Sequence, residues 1–130
     1  MRKPKHTKGE KTVTKVLLCD DSMLVRRQLK DYITRQRKDI TVIEAVNGRE
    51  AVEKYGEERP DLVLMDIVMP EMDGIGCLKS IREIDPRAKV IVLSSVGNRE
   101  TLLEALEAGA LDFIQKPWTE SVINRVLDLY

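Results

Sequence analysis

Five polar residues stand at the ends of short, largely apolar runs in this 130-residue sequence, and together their types suit metal and phosphoryl chemistry. They are Asp20, Asp21, Asp66, Ser94 and Lys116. If folding gathers them, the three carboxylates repel one another unless a cation lies among them or their pKa values rise. Oxygen ligands without Cys or His select a hard ion, so we expect Mg²⁺, with Mn²⁺ as a substitute.

A carboxylate beside such an ion can attack a phosphoryl group and form an acyl phosphate. The ion and a nearby ammonium group neutralise charge on the phosphoryl oxygens. Lys116 supplies the ammonium group, and Ser94 supplies a hydroxyl for a further phosphoryl oxygen. Asp66 is the nucleophile that the sequence favours, because it is the only acidic residue at the end of its apolar run.

The apolar patterning predicts five strands that would position these residues. Continuous four-residue apolar runs are typical of strands buried on both faces of a parallel sheet. These runs are Val16–Cys19, Leu62–Met65 and Val90–Leu93. Ile40–Ala45 and Leu111–Gln115 are interrupted by polar residues, so we expect them at the edges of the sheet.

Amphipathic helices are predicted after each strand. The fourth helix has an apolar face formed by Leu102, Leu103 and Leu106, and Gly109 follows it where a helix should end. Three residues are suited to cap helix N-termini: Asn47, Asn98 and Thr119.

The alternation predicts an α/β fold of the form (βα)5, with one doubly wound, five-stranded parallel sheet. Placing the two mixed strands at the edges gives the flavodoxin-like order 2-1-3-4-5. In that order the chain changes direction between strands 1 and 3, and ligands bind at the carboxyl ends of those strands. The five polar residues named above stand at this edge of the sheet.

Composition excludes several other classes of protein. The 22 basic and 22 acidic residues balance, but six basic residues and one acidic residue lie within residues 1–15. We expect residues 1–14 to be a flexible basic arm and residues 15–130 to be one domain. No apolar run approaches the roughly 18 residues of a membrane span. One His and two distant cysteines exclude a His triad and a zinc site, and we expect Cys19 and Cys77 to be buried thiols.

Four motifs in order resemble the receiver domains of two-component response regulators over roughly residues 15–130. They are Asp20-Asp21, the segment 66–74, Ser94-Ser95 and the segment 113–117. Within that family the chain most resembles the stand-alone chemotaxis regulators of the CheY type, which are themselves a known example of the strand order 2-1-3-4-5.

The resemblance implies a role for each residue of the site. Asp66 would be the phosphoacceptor, Asp21 would bind Mg²⁺ directly, and Asp20 would bind it mainly through water. The backbone carbonyl of Val68 would be a further metal ligand, and Lys116 would pair with the phosphoryl group.

The resemblance also implies features of the loops around the site. The Lys116–Pro117 peptide bond would be cis and would aim the lysine into the site. Pro70 and Gly74 would shape the loop after the acceptor.

The resemblance further implies a two-state switch. Phosphorylation would draw Ser94 toward the phosphoryl group, and Phe113 would turn into the space left behind, which changes the face of helix 4, strand 5 and helix 5. Trp118 either marks this surface as a partner site or packs against helix 5. Val68 and Val96 replace polar residues that place water in faster relatives, so we expect slow self-dephosphorylation.

Such a protein would be a switch and no enzyme beyond its own phosphorylation and dephosphorylation. A histidine kinase would be the phosphodonor, with small phosphodonors as another source, and a flagellar motor or other chemotaxis protein would be the target. We expect a cytoplasmic monomer or weak dimer without membrane insertion or specific nucleic-acid binding.

Three different functions are also compatible with parts of this pattern. A haloacid-dehalogenase-type phosphatase would need a second Asp at the position of Val68. A flavodoxin-type carrier would need a phosphate-binding loop where Asp20 and Asp21 stand. The third is the receiver domain of a longer regulator, either a transcription factor or a methylesterase, whose receivers Ser94-Ser95 and the segment 110–113 also resemble.

Overall fold

The computed structural model describes residues 13–69, 73–95, 97 and 99–130. Four expectations concern positions outside the described residues: most of the basic arm, the loop role of Pro70, the effect of Val96 on water, and the cap at Asn98.

Five strands and five helices alternate along the described residues. The strands are β1 (Lys15–Cys19), β2 (Thr41–Ala45), β3 (Leu62–Asp66), β4 (Val90–Ser94) and β5 (Asp112–Gln115). The helices are α1 (Met23–Gln36), α2 (Gly48–Glu58), α3 (Gly74–Ile84), α4 (Arg99–Glu107) and α5 (Glu120–Leu129). The strands form one parallel sheet in the order β2-β1-β3-β4-β5, which confirms the predicted fold and edge strands.

Alternate residues of each central strand point to opposite faces of the sheet and enter two separate cores. In β3, Val63 and Met65 join the core beneath α2, α3 and α4, whereas Leu62 and Leu64 join the core beneath α1 and α5. All five residues of β3 and of β4 are buried. Apolar side chains on both faces hold these strands, and their carboxyl ends are therefore fixed relative to each other.

Two of the predicted N-caps are present. The Asn47 side chain accepts a hydrogen bond from the Glu50 backbone N–H at 2.8 Å, and the Thr119 hydroxyl accepts one from Val122 at 3.3 Å. Ser22 and Asp73 cap α1 and α3 in the same way, although the sequence pattern did not single them out.

The apolar face predicted for the fourth helix is mostly not covered. Leu103 is 50% exposed and Leu106 is 36% exposed, and only Ala105 of α4 is fully buried. Leu102 is partly buried against the core. The predicted face is present, but within α4 only Ala105 and part of Leu102 pack against the core, so most of that face is exposed.

Cys19 and Cys77 are both buried free thiols, as expected. Burial is the main cause that raises the pKa of both, that of Cys77 to about 12. None of the described helices has the length and apolar content needed to cross a membrane.

Gly109 lies two residues after the end of α4 and has a φ of 111°, a conformation that L side chains rarely adopt. A Cβ at this position would lie 2.3 Å from the Arg82 Nε atom. Gly56 is the matched contrast, because it lies within α2 and a Cβ there would meet no atom within 4 Å.

We expect Gly109→Ala to lower the free energy of unfolding by at least about 1 kcal/mol, since both the backbone and Arg82 must adjust. Gly56→Ala should raise it by roughly 0.5–1 kcal/mol, because alanine favours the helix. Urea denaturation of both variants measures the difference, and equal effects at the two positions would contradict it.

Candidate functional site

The parallel sheet brings the predicted site residues to one edge. Asp20 follows β1, Asp66 ends β3, Ser94 ends β4 and Lys116 follows β5. Asp20, Asp66 and Ser94 are buried, and Asp21 is exposed. These residues are far apart in sequence, and the shared edge of β1, β3, β4 and β5 is what gathers them.

The Lys116 ammonium group lies between two carboxylates. Its Nζ atom is 3.0 Å from Asp20 Oδ2 and 3.0 Å from Asp66 Oδ2. The Lys116–Pro117 peptide bond is cis, as expected. The sequence pattern predicted the convergence of these three residues, and the bridging arrangement emerges only from the structure.

Burial and charge act against each other at this cluster. Burial raises the pKa of Asp66, although hydrogen bonds from Lys116 and from the Val68 N–H work in the opposite direction. Burial alone would lower the pKa of Lys116, but its hydrogen bonds to Asp66 and Asp20 outweigh burial and raise the pKa. The lysine is therefore held in its charged form.

The three carboxylates can serve as ligands to one metal ion. One oxygen from each of Asp20, Asp21 and Asp66 lies within 4.8 Å of the others. Two of the acids are buried and one is exposed, so a bound ion would keep a side open to solvent. This arrangement fits Mg²⁺, which prefers oxygen ligands and usually retains several waters. The metal ligand role of the Val68 carbonyl stays a prediction.

The turn after β1 fixes the first acidic pair. The Ser22 N–H donates to Asp20 Oδ1 at 2.9 Å, and the Ser22 hydroxyl caps α1 by accepting from Val25 at 3.3 Å. Arg26 Nη1 donates to the Asp20 carbonyl at 2.7 Å. Sequence reasoning missed Arg26, whose signal is a charged residue at helical spacing from the buried Leu29 of α1.

Gly74 allows α3 to begin close to the acceptor strand. A Cβ on Gly74 would lie 2.6 Å from the Ile67 Cα atom and 2.7 Å from the Asp66 carbonyl oxygen. The Gly74 N–H donates to the Ile67 carbonyl at 2.8 Å. A side chain here would push α3 away from the loop that follows Asp66, in keeping with the expected loop role of this glycine.

The two predicted switch residues border one cavity. The Ser94 hydroxyl donates to the Ser95 carbonyl at 3.2 Å, and Phe113 on β5 is 38% exposed. Both residues line a cavity of about 210 Å³, together with Leu102 of α4 and Gln115. Space therefore lies between the end of β4 and the aromatic ring.

Trp118 takes part in packing between α1 and α5. Its ring centroid lies 5.7 Å from that of Tyr32, at an interplanar angle of 44°. The Tyr32 hydroxyl in turn donates to Asn124 Oδ1 at 2.9 Å. Trp118 remains partly exposed beside this contact, so packing accounts for only part of its surface.

The sequence of this chain is similar to those of known receiver domains and chemotaxis proteins. A model described as "Response regulator receiver domain" matches residues 16–128. The chain is 50% identical over 114 residues to a chemotaxis protein CheY of Thermotoga maritima, covering 88% of this chain and 94% of that protein. It is also 50% identical over 106 residues to a protein-glutamate methylesterase/protein-glutamine glutaminase of Archaeoglobus fulgidus, covering 79% of this chain and 30% of that protein.

A solved structure gives a similar result. The CheX-CheY-BeF3-Mg+2 complex from Borrelia burgdorferi contains a chain that matches with a TM-score of 0.80 and 38% identity. The match covers 89% of this chain and 88% of that one.

The unfavourable burial of Asp66 leads to a prediction about stability. In metal-free buffer at pH 7, Asp66→Asn should raise the free energy of unfolding by about 1 kcal/mol, the usual size of a point-mutation effect. The reason is that asparagine removes a desolvated charge that faces Asp20. Asp31→Asn, on the exposed side of α1, is the control and should change little. Urea denaturation with a chelator checks this, and a less stable Asp66→Asn protein would contradict it.

Proposed function

Because the chain belongs to the response regulator receiver domain family and is therefore a phosphorylation-dependent signalling switch, we propose that Asp66 accepts a phosphoryl group from a histidine kinase with Mg²⁺. The observation that carries this proposal is the position of the Lys116 ammonium group, 3.0 Å from both Asp66 and Asp20. The family match confirms the resemblance that the four sequence motifs predicted.

The metal ligands in this proposal are the carboxylates of Asp20, Asp21 and Asp66 and the carbonyl of Val68. When bound, Mg²⁺ would offset the charge of the phosphoryl oxygens. Support comes from the three carboxylate oxygens, which lie within 4.8 Å of one another, and from the exposure of Asp21.

In the proposed reaction, an Asp66 carboxylate oxygen attacks the phosphorus of a phosphohistidine. A P–O bond forms, the P–N bond breaks, and the imidazole leaves with its electron pair and takes up a proton. Lys116 would then donate a hydrogen bond to a phosphoryl oxygen in place of its bond to Asp66. The Ser94 hydroxyl would donate to a second phosphoryl oxygen. The buried position of Ser94 at the end of β4, beside β3, supports this role.

We propose that the output is a change in the surface of α4, β5 and α5. Phe113 would turn into the cavity of about 210 Å³ that it shares with Ser94. The exposed Leu103 and Phe113 support protein binding at this surface. The target would be a flagellar motor or other chemotaxis protein, and a protein of the CheX kind is one candidate because the Borrelia relative is seen with CheX.

We further propose that residues 15–130 are the receiver domain, that residues 1–14 are an arm outside it, and that the protein acts in the cytoplasm as a monomer or weak dimer. It would bind no specific nucleic acid. The receiver of a longer methylesterase-type regulator is the second candidate, and the identity of 50% to the Archaeoglobus protein favours it over a phosphatase or a flavodoxin-type carrier.

Phosphorylation tests the acceptor directly. Radiolabelled acetyl phosphate with Mg²⁺ should label the wild type to about one phosphate per chain, in a form released by hydroxylamine, while Asp66→Asn should lose nearly all labelling. Asp73→Asn is the matched control, because it removes a neighbouring carboxylate yet keeps a good cap for α3. Equal labelling of the Asp66→Asn and control variants would overturn the mechanism.

The side chain of Val68 leads to a prediction about how long the phosphorylated protein persists. Val68 is 60% exposed and lies two residues after the acceptor, where it cannot orient water by hydrogen bonding. We expect the phosphorylated protein to persist for far longer than seconds without a phosphatase. Val68→Asn should shorten that lifetime about tenfold, roughly the effect of one hydrogen bond to the attacking water.

Release of inorganic phosphate over time from purified phosphorylated protein measures both lifetimes. Val46→Asn provides the control, since Val46 is also exposed but does not follow the acceptor strand. Complete loss of phosphate from the wild type within seconds would contradict the prediction.

A further inference from the structure

Arg26 is a charged residue in a buried place. Its side chain is only 10% exposed, because it lies on the face of α1 that packs on the sheet. The guanidinium group makes two directed contacts: Nη1 donates to the Asp20 carbonyl at 2.7 Å, and Nε donates to Glu44 Oε1 at 3.1 Å. One rigid group therefore joins the turn after β1 to the edge strand β2.

The contact with Asp20 fixes the peptide that leads into Asp21. On its amino side, Asp20 donates its N–H to the Ala45 carbonyl at 3.2 Å. Its side chain accepts from the Ser22 N–H at 2.9 Å. Arg26 donates to the Asp20 carbonyl, which lies in the same peptide plane as the Asp21 nitrogen. The orientation of that plane decides where the exposed Asp21 carboxylate points.

Glu44 anchors the guanidinium group from the other side. Lys30 Nζ also lies 3.4 Å from Glu44 Oε2. Burial favours the neutral acid, but hydrogen bonds from Arg26 and Lys30 lower the pKa of Glu44, so the carboxylate stays charged. The planar fork of Arg26 is thus held at Glu44 and aimed at the Asp20 carbonyl.

The ion pair and the charge of Arg26 do not by themselves explain why this residue lies beside the acidic cluster. The Glu44 side chain is 34% exposed, and an ion pair with a solvent-exposed partner typically contributes about 0–1 kcal/mol, so the pair is weak evidence for a stabilising role. A positive charge beside the acidic cluster also opposes the binding of a cation. The directed bond to the Asp20 carbonyl is what a nonpolar residue of similar size would lack.

We propose that Arg26, held by Glu44, is a positioning residue for the metal site: it orients the Asp20–Asp21 peptide so that both carboxylates face Asp66. This inference rests on the metal site of the proposed function. It extends the site to a residue of α1 and a residue of β2 that do not contact the ion.

The positioning role and a simple charge effect predict opposite changes in Mg²⁺ affinity when Arg26 is replaced. If Arg26 acted only as a nearby charge, Arg26→Met would bind Mg²⁺ more tightly than the wild type. If it positions the peptide, Arg26→Met should bind about 10- to 100-fold more weakly, the usual effect of losing a group that orients ligands. Arg27→Met is the matched control, because it removes the same charge from an exposed position on α1.

Mn²⁺ serves as the probe, with free Mn²⁺ measured by electron paramagnetic resonance and Mg²⁺ affinity obtained by competition. Arg26→Lys should also bind weakly, because one ammonium group does not reproduce the two-pronged contact. Arg27→Met should bind as the wild type does or slightly tighter. Urea denaturation with a chelator shows whether each variant is folded, and Glu44→Gln, with a smaller loss of affinity, is the second variant if Arg26→Met does not fold.

The outcomes separate this inference from the proposed function. Weak binding by folded Arg26 variants with normal binding by Arg27→Met supports the positioning role. Equal or tighter binding by Arg26→Met overturns the inference alone. A wild type that binds no Mn²⁺, or an Asp21→Ala variant that binds as well as the wild type, overturns the proposed metal site and this inference with it.

Discussion

The Lys116 ammonium group between the carboxylates of Asp20 and Asp66 is the interaction on which the site depends. Two buried carboxylates at the ends of neighbouring strands repel each other, and Lys116 lies 3.0 Å from both. Burial still raises the pKa of Asp66, so one lysine does not fully offset the desolvated charge. This imbalance is in keeping with the proposed function, in which the site would receive a metal ion and a phosphoryl group and each would change the local charge.

The sheet makes such a site possible. The five residues of β3 and the five of β4 are all buried, and their alternate side chains enter separate cores on the two faces. Those apolar contacts hold the carboxyl ends of the strands in place without help from the site. Gly74 then lets α3 begin close to the Asp66–Ile67 backbone, where a Cβ atom would lie 2.6–2.7 Å from backbone atoms.

The packing of α4 differs from that of the central strands, because little of the helix is buried. Ala105 is its one fully buried residue among those described, whereas Leu103 is half-exposed. The adjacent Phe113 borders a cavity that also reaches Ser94. A rigid acceptor strand therefore stands next to a lightly packed helix, and local loosening of this kind is what a two-state element needs.

The sequence by itself determined the fold, the edge strands and the edge of the sheet at which the five polar residues stand, because continuous and interrupted apolar runs distinguish buried from edge strands. Parallel pairing then forces the strand ends together. Only the tertiary structure decided that Leu103 and Leu106 of α4 are exposed, because periodicity marks an apolar face but not whether another element covers it. It also decided the contacts of Lys116 with Asp20, 96 residues away, and of Arg26 with Glu44, since side-chain pairs between distant elements leave no local pattern.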